Sequence, residues 1–316
     1  MLALNSSHIP ATFILVGFPG LEAIYGWISI PICLMFIISF GGNGLILHVI
    51  IRDYKLHQPM FIFLSMLEVT DILFLLSTCP TMLSIFLFNY QIIRSEACLL
   101  QMFFIHVQAI IQSSVLVAMA FDRFVAICQP LRYTSILSNS VITKVGLFSV
   151  LRGTLIHVPP VTSLLFLPYC KGNLLSYSVC VQQDVMKLAC DGTNTFNIMY
   201  GLAAILCTVA LDLALIILSY SLIIRGVLDV TSEMEQKRLF NTCASHLLAV
   251  ISFYASNLAS TVSNRFGIQM NPVSKSVAAN TLIFVSPLLN PIIYSIKNKQ
   301  IRDSLYQVFH KHKIGF

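Results

Sequence analysis

The chain reads as an all-α membrane protein: a seven-transmembrane helix bundle, N-terminus outside, with a short amphipathic helix after span seven. Three features carry that reading. Of 316 residues, 57% are hydrophobic and 10% charged, against about 25% charged in a soluble domain. The charges are clumped and leave uncharged runs long enough to cross a bilayer. The basic residues then fall mostly on one side of the resulting topology. Such a composition argues against a disordered chain, a cytosolic enzyme, or a nucleic-acid binder working through a broad basic surface.

A helix needs roughly 20 apolar residues to cross the hydrocarbon core. Uncharged runs lie between Glu22 and Arg52 (29 residues), Asp71 and Arg94 (22), and Glu96 and Asp122 (25). Others lie between Arg152 and Lys171 (18), Asp191 and Asp212 (20), Arg238 and Arg265 (26), and Lys275 and Lys297 (21). These place spans at 27–51, 59–88, 98–123, 142–167, 196–225, 238–263 and 274–296. Spans two, four and five each take in one or two internal charges. The domains are then an extracellular segment 1–26, a membrane domain 27–296 and a cytoplasmic tail 297–316.

Cytoplasmic loops hold the excess of Lys and Arg. With the N-terminus outside, 13 of the 19 basic residues are inside and five outside, with Arg152 within span four. The first 25 residues lack the basic start and long apolar core of a secretory signal, so span one acts as its own insertion signal. Asn5-Ser6-Ser7 is an outer glycosylation sequon, and Asn5 is expected to carry a glycan.

Nine cysteines divide by side of the membrane. Cys33, Cys79, Cys128, Cys207 and Cys243 lie in spans or at inner ends, where thiols act as small hydrophobes. Cys98, Cys170, Cys180 and Cys190 face the oxidising side, where disulfides are expected in one of three connectivities. The outer loop from 168 to 196 is the longest stretch outside a span. In the tail, Ile301, Leu305, Val308 and His312 share a face ringed by Lys299, Arg302 and Lys311, suited to lying on the inner leaflet.

Ionisable groups inside spans are functional candidates because burying them is costly. Glu68 and Asp71 are three apart, hence on one helical face. Asn43, Gln112 and Asn290 could join them in a polar network, and Arg152 and Asp212 are the other charges. Pro287 and Pro291 kink span seven, and Asn290 could bond a carbonyl freed there. No H-E-x-x-H, G-x-S-x-G or P-loop occurs, so the chain is not expected to be an enzyme or to need a cofactor.

Five ordered stretches carry a resemblance. They are Gly42-Asn43, Leu56-His-Gln-Pro59-Met-Phe-Ile-Phe-Leu64 and Met119-Ala-Phe-Asp122-Arg123-Phe-Val-Ala-Ile-Cys128, then Lys237-Arg-Leu-Phe-Asn-Thr-Cys-Ala-Ser-His246 and Pro287-Leu-Leu-Asn-Pro291-Ile-Ile-Tyr294. The chain resembles rhodopsin-like G-protein-coupled receptors of the odorant receptor branch, over essentially its whole length. Pro19-Gly20-Leu21-Glu22, Val185-Met-Lys-Leu-Ala189 and Arg265-Phe-Gly267 resemble the fish-like class I subgroup.

The resemblance implies a multi-pass plasma-membrane receptor whose partners are a small-molecule odorant, a heterotrimeric stimulatory G protein and the lipid bilayer. It implies that the ion pair Asp122–Arg123 holds the resting state, with Tyr220, Asn290, Pro291 and Tyr294 in the switch. It also implies a disulfide Cys98–Cys180, which leaves Cys170–Cys190 as a second bridge. Phe121 and Phe124 stand where tyrosines are usual, each losing a hydroxyl but no charge. Gln112 stands where a glutamate would face Asp71, which argues against a sodium site there.

The ligand pocket is bounded by spacing. His106 lies eight residues beyond Cys98, about 12 Å deeper along the helix, and Ile105, Ala109 and Ile110 are expected on the same inward face. Ala204 and Thr208 join from span five, Tyr254, Asn257 and Thr261 from span six, Asn280 and Phe284 from span seven, and Gln183 from the loop. Such a pocket is small and mostly apolar. The class I resemblance suggests that Arg265 anchors a carboxylate; a snorkelling arginine is the plainer reading, and His106 could equally be a packing residue. The expected ligand is a carboxylic acid or similarly polar odorant. The alternative is a rhodopsin-like receptor for a metabolite in non-olfactory tissue. A secondary transporter would show repeats, and a retinal protein would need a lysine in the middle of span seven.

Overall fold

The computed structural model describes residues 9–228, 230, 232–265 and 272–314. Seven long helices follow one another: α1 (Tyr25–Arg52), α2 (Pro59–Phe88), α3 (Ser95–Cys128), α4 (Asn139–Leu164), α5 (Thr195–Leu228), α6 (Glu233–Arg265) and α7 (Pro272–Lys297). A final helix, α8, covers Lys299–Ile314. Six of the seven are long and apolar enough to cross a membrane by length and composition; in α6 the apolar stretch is Cys243–Ala259. At about 1.5 Å per residue α6 exceeds a hydrocarbon core of about 30 Å, so its first turns project beyond it. There Lys237 pairs with Glu233 one turn away at 2.6 Å.

Local chemistry sets the ends. Pro59 opens α2, where its missing N–H costs nothing. Asn89 closes α2 in the left-handed conformation (φ 51°). Asn298 Oδ1 accepts the Gln300 and Ile301 N–H groups at 3.0 and 3.3 Å, capping α8.

The interior has two apolar clusters. Towards the end assigned to the inside lie Ile46, Leu64, Met119, Ile223 and Tyr294. Towards the outer end lie Phe13, Tyr25, Met82, Leu164 and Phe284. Large apolar side chains such as Trp27, Ile37, Phe148 and Leu155 are exposed around the bundle, as a lipid-facing surface requires. Part of the apolar face of α8 turns onto the bundle, while the His312 side chain lies outside the described residues. Ile301 is fully buried, and Leu305 and Val308 pack against the inner cluster. Ser304 Oγ also donates to Asp53 Oδ2 at 2.5 Å, fastening α8 to the first inner loop. That hydrogen bond, with one from the Lys55 N–H, holds the Asp53 carboxyl below its usual range.

The outer end carries a small sheet that no periodicity announces. Strand β1 (Thr12–Leu15) is central, antiparallel to β2 (Ile92–Arg94) and parallel to β3 (Leu174–Leu175). Its alternation turns Phe13 and Leu15 into the outer cluster. At Gly17 the chain bends with φ +67°, and a Cβ there would meet Tyr25 Oη at 2.8 Å. That hydroxyl donates to Val16 O at 2.9 Å. The N-terminal segment thus ties the first and second outer loops to the bundle.

Candidate ligand site and inner switch

The second outer loop is held over the helices by covalent and polar links. Disulfides join Cys98 to Cys180 and Cys170 to Cys190. Gln101 Oε1 accepts the Cys180 N–H at 2.9 Å, while its Nε2 donates to Ser77 O and Thr81 Oγ1 at 2.7 and 2.8 Å. Within the loop, buried Asp184 accepts from the Ser176 N–H and pairs with Lys187. Burial, with Asp184 nearby, pushes the Tyr177 phenol up to about 12. Gln183 lies in the helical turn Gln182–Lys187, and its buried Oε1 has no partner among the described residues.

The expected ligand residues occupy several surfaces rather than one. His106 packs its ring against His157 of α4, centroids 5.3 Å apart. Ile110 also faces α4, where a Cβ on Gly153 would lie 3.6 Å from its own Cβ. Ile105 packs on the outer cluster, and Ala109 and Ala204 are half-buried. Thr208 is buried in a π-helical turn, Leu206–Ala210, and donates to Ala204 O at 2.6 Å. Asn257 is exposed and bonds back to Phe253 O at 2.8 Å; Thr261 is half-buried. Asn280 and Phe284 line an outer cavity of about 360 Å³ with Phe18, Ile28 and Ile32 of the α1 side. The Arg265 side chain and Asn5 lie outside the described residues.

Midway through the bundle, four helices meet at one carboxylate. Asp212 Oδ2 of α5 accepts Ser113 Oγ of α3 at 2.5 Å and Arg152 Nη1 of α4 at 3.0 Å. Arg152 Nη1 also reaches Ser114 Oγ at 2.9 Å. Ser113 Oγ lies 2.8 Å from Tyr254 Oη of α6. The π turn just before Asp212 adds a residue to the helical circuit, and such turns recur at functional sites. Asp212 and Arg152 thus neutralise each other where neither could stand alone.

A second polar junction surrounds Asp71. Gln112 Nε2 donates to its Oδ1 at 2.5 Å and Asn290 Nδ2 to its Oδ2 at 2.7 Å. Both carboxylate oxygens are therefore met by amide donors. Two expectations change here. Asn43 does not bond Asp71; its Nδ2 donates to Ser39 O and Pro287 O at 2.6 and 2.7 Å. Pro291 has no N–H to give the carbonyl four residues back, so Pro287 O is the one it orphans. Asn43, not Asn290, satisfies it. A Cβ on Gly42 would lie 3.0 Å from Pro291 Cβ and Cγ, which explains the small residue beside Asn43. Glu68 shares the buried region, but neither of its oxygens has a hydrogen-bond partner among the described residues.

At the inner end, Arg123 is held by its neighbour. Its Nε and Nη2 lie 2.9 and 2.5 Å from Asp122 Oδ2, and Tyr133 Oη donates to Asp122 Oδ1 at 2.7 Å. Burial and the Asp122 charge push the Tyr133 phenol above its ordinary range. Tyr220 Oη meets His246 Nδ1 at 2.6 Å, and His246 Nε2 meets Leu116 O at 3.1 Å. A proton on Nε2 satisfies both contacts, linking α5 and α6 to the α3 backbone. Tyr294 is fully buried in the same cluster. Arg52, Lys55, Arg132, Lys144, Arg225 and Lys237 are exposed around this end. Sequence reasoning overlooked His246 and Tyr133, although His246 ends a quoted motif; Tyr133 lay in an unremarkable loop.

Residues 32–312 match the olfactory receptor family. The human protein named Olfactory receptor OR51C1 is 48% identical over 97% of this chain and 98% of its own length. Human Olfactory receptor 51A4 is 47% identical over 99% of this chain and all of its own. Among solved structures, squid rhodopsin superposes with a TM-score of 0.72 at 18% identity, covering 91% of this chain and 86% of that one. That last likeness speaks for the fold alone.

Proposed function

The chain belongs to the olfactory receptor family of multi-pass plasma-membrane receptors, and on that premise we propose that it binds a small organic acid, or a similarly polar odorant, in its outer half. The bound receptor then activates a stimulatory G protein and raises cyclic AMP.

One observation carries this reading: the chain Arg152–Asp212–Ser113–Tyr254 joins α3, α4, α5 and α6 at mid-depth. The same α5 and α6 carry Tyr220 and His246 below it, next to α3 with its Asp122–Arg123 pair. A ligand that shifts α5 or α6 above the junction repacks the contacts beneath, because a close-packed interior moves between discrete arrangements rather than flexing smoothly. Released from Asp122, Arg123 would be free to meet the G protein, and the exposed basic rim would draw in an acidic partner.

Arg265, at the outer end of α6, is the proposed carboxylate anchor. Cyclic AMP responses to a panel of short- and medium-chain fatty acids, wild type against Arg265→Ala, test this. Activation should be lost or strongly right-shifted in the variant. Equal responses in both would remove Arg265 from the ligand site.

A further inference from the structure

We propose that His106 and His157 form a two-histidine site for a divalent transition-metal ion of the zinc or copper kind, between α3 and α4 in the outer half of the bundle. Both rings are half-buried. They are held alike. His106 Nδ1 lies 2.8 Å from Met102 O and His157 Nδ1 lies 3.2 Å from Gly153 O, each carbonyl one turn back on the same helix. A carbonyl oxygen only accepts, so each Nδ1 carries the ring proton and each Nε2 presents a bare lone pair.

Among the described residues neither Nε2 is hydrogen-bonded to protein, nor are the two bonded to each other. Two free imidazole lone pairs on neighbouring half-buried rings can share one electrophile. An imidazole whose Nδ1–H is fixed on a backbone carbonyl is also the arrangement that prepares Nε2 for a metal. The spacing of the two rings is one that a shared ion fits. With metal–nitrogen bonds of about 2.0–2.1 Å, tetrahedral angles and ring centres about 1.1 Å behind nitrogen, two imidazoles on one ion stand about 5.2 Å apart. The observed separation is 5.3 Å, with planes at 38° rather than parallel.

No group of three or more His, Cys, Asp or Glu side chains could hold a metal among the described residues. The protein therefore supplies two ligands and leaves the other positions to water or to a donor atom of a bound small molecule. Affinity belongs in the micromolar range rather than that of closed structural zinc sites. The site does not depend on the acid-binding reading, and its test uses no odorant.

Purified receptor in lipid nanodiscs is titrated with zinc chloride, and bound ions are counted after equilibrium dialysis for wild type, His106→Gln, His157→Gln and His157→Cys. Each glutamine variant should bind one ion fewer at micromolar free zinc, with at least about tenfold weaker affinity at that site. The cysteine variant, which still offers a ligand, should keep it. Unchanged stoichiometry in both glutamine variants overturns the proposal, as does loss in only one of them. Should a variant fold poorly, wild type alone decides. Zinc should protect the His106 and His157 peptides together from diethyl pyrocarbonate, read by mass spectrometry, and protection of neither or of one alone contradicts a shared ion.

Discussion

Replacing Asn43 with leucine, a larger side chain with the same branching at Cγ, removes the amide that reaches Pro287 O at 2.7 Å. The carbonyl is left without its donor because Pro291 has no N–H to offer. Hydrogen bonds between spans average about 0.6 kcal/mol and reach about 1.7, while orphaning a buried acceptor costs about 1–3 kcal/mol. A loss of about 1–2 kcal/mol follows, roughly a 5- to 30-fold shift in the folding equilibrium. Stability alone could reflect packing, so the decisive form is a double-mutant cycle with Pro291→Ala. In that background the new alanine N–H can bond Pro287 O, and Asn43→Leu should become nearly silent. The expected coupling is about 1 kcal/mol, measured by detergent-induced unfolding of reconstituted receptor. Additivity within about 0.3–0.5 kcal/mol would show that Asn43 does not serve the proline-freed carbonyl, and the account of α1–α7 packing would fail.

Three more outcomes follow from the same geometry. Arg152→Met strands the Asp212 carboxylate and should destabilise by about 3–5 kcal/mol, whereas Arg152→Met with Asp212→Leu should regain most of it, measured by the same unfolding assay. Tyr133→Phe deletes the 2.7 Å bond that steadies Asp122, so ligand-free cyclic AMP should rise, and an unchanged baseline would argue against Tyr133 as part of the latch. Asp53 is depressed in the folded protein by Ser304, so its contribution holds above the ordinary carboxylate value near about 4 and fades as pH falls through the lower folded value. Spin labels on α1 and α8 should separate with acid in wild type; Ser304→Ala should show the separation already near neutral pH.

The gaps between charges placed the spans well because the bilayer penalises charge wherever it falls. They could not show that α6 begins at Glu233, since that turn sits in water and draws on the Glu233–Lys237 pair. Helical spacing put Glu68 and Asp71 on one face, with Asn43, Gln112 and Asn290 as possible members of their network. Spacing could not say which of them reaches which carboxylate. Asp71 found Gln112 and Asn290, Asn43 found the proline-freed carbonyl, and Glu68 found neither. The outer sheet was illegible because four residues of β1 pair with segments about 80 and 160 positions away; nothing local encodes that. His106 shows the same limit, since periodicity gave its face as inward but could not tell α4 from the cavity. The family resemblance put Tyr220 in the switch, but its contact with His246 needed three helices in register and so had no local signal.

The most direct test of the receptor account is nucleotide exchange by a purified stimulatory G protein with the receptor in lipid nanodiscs. A fatty acid that binds should accelerate exchange severalfold, and Arg123→Ala should bind the same acid without accelerating it. Binding with no exchange in wild type, or equal exchange in the variant, would contradict a pathway running from the outer half through Asp212 to Arg123.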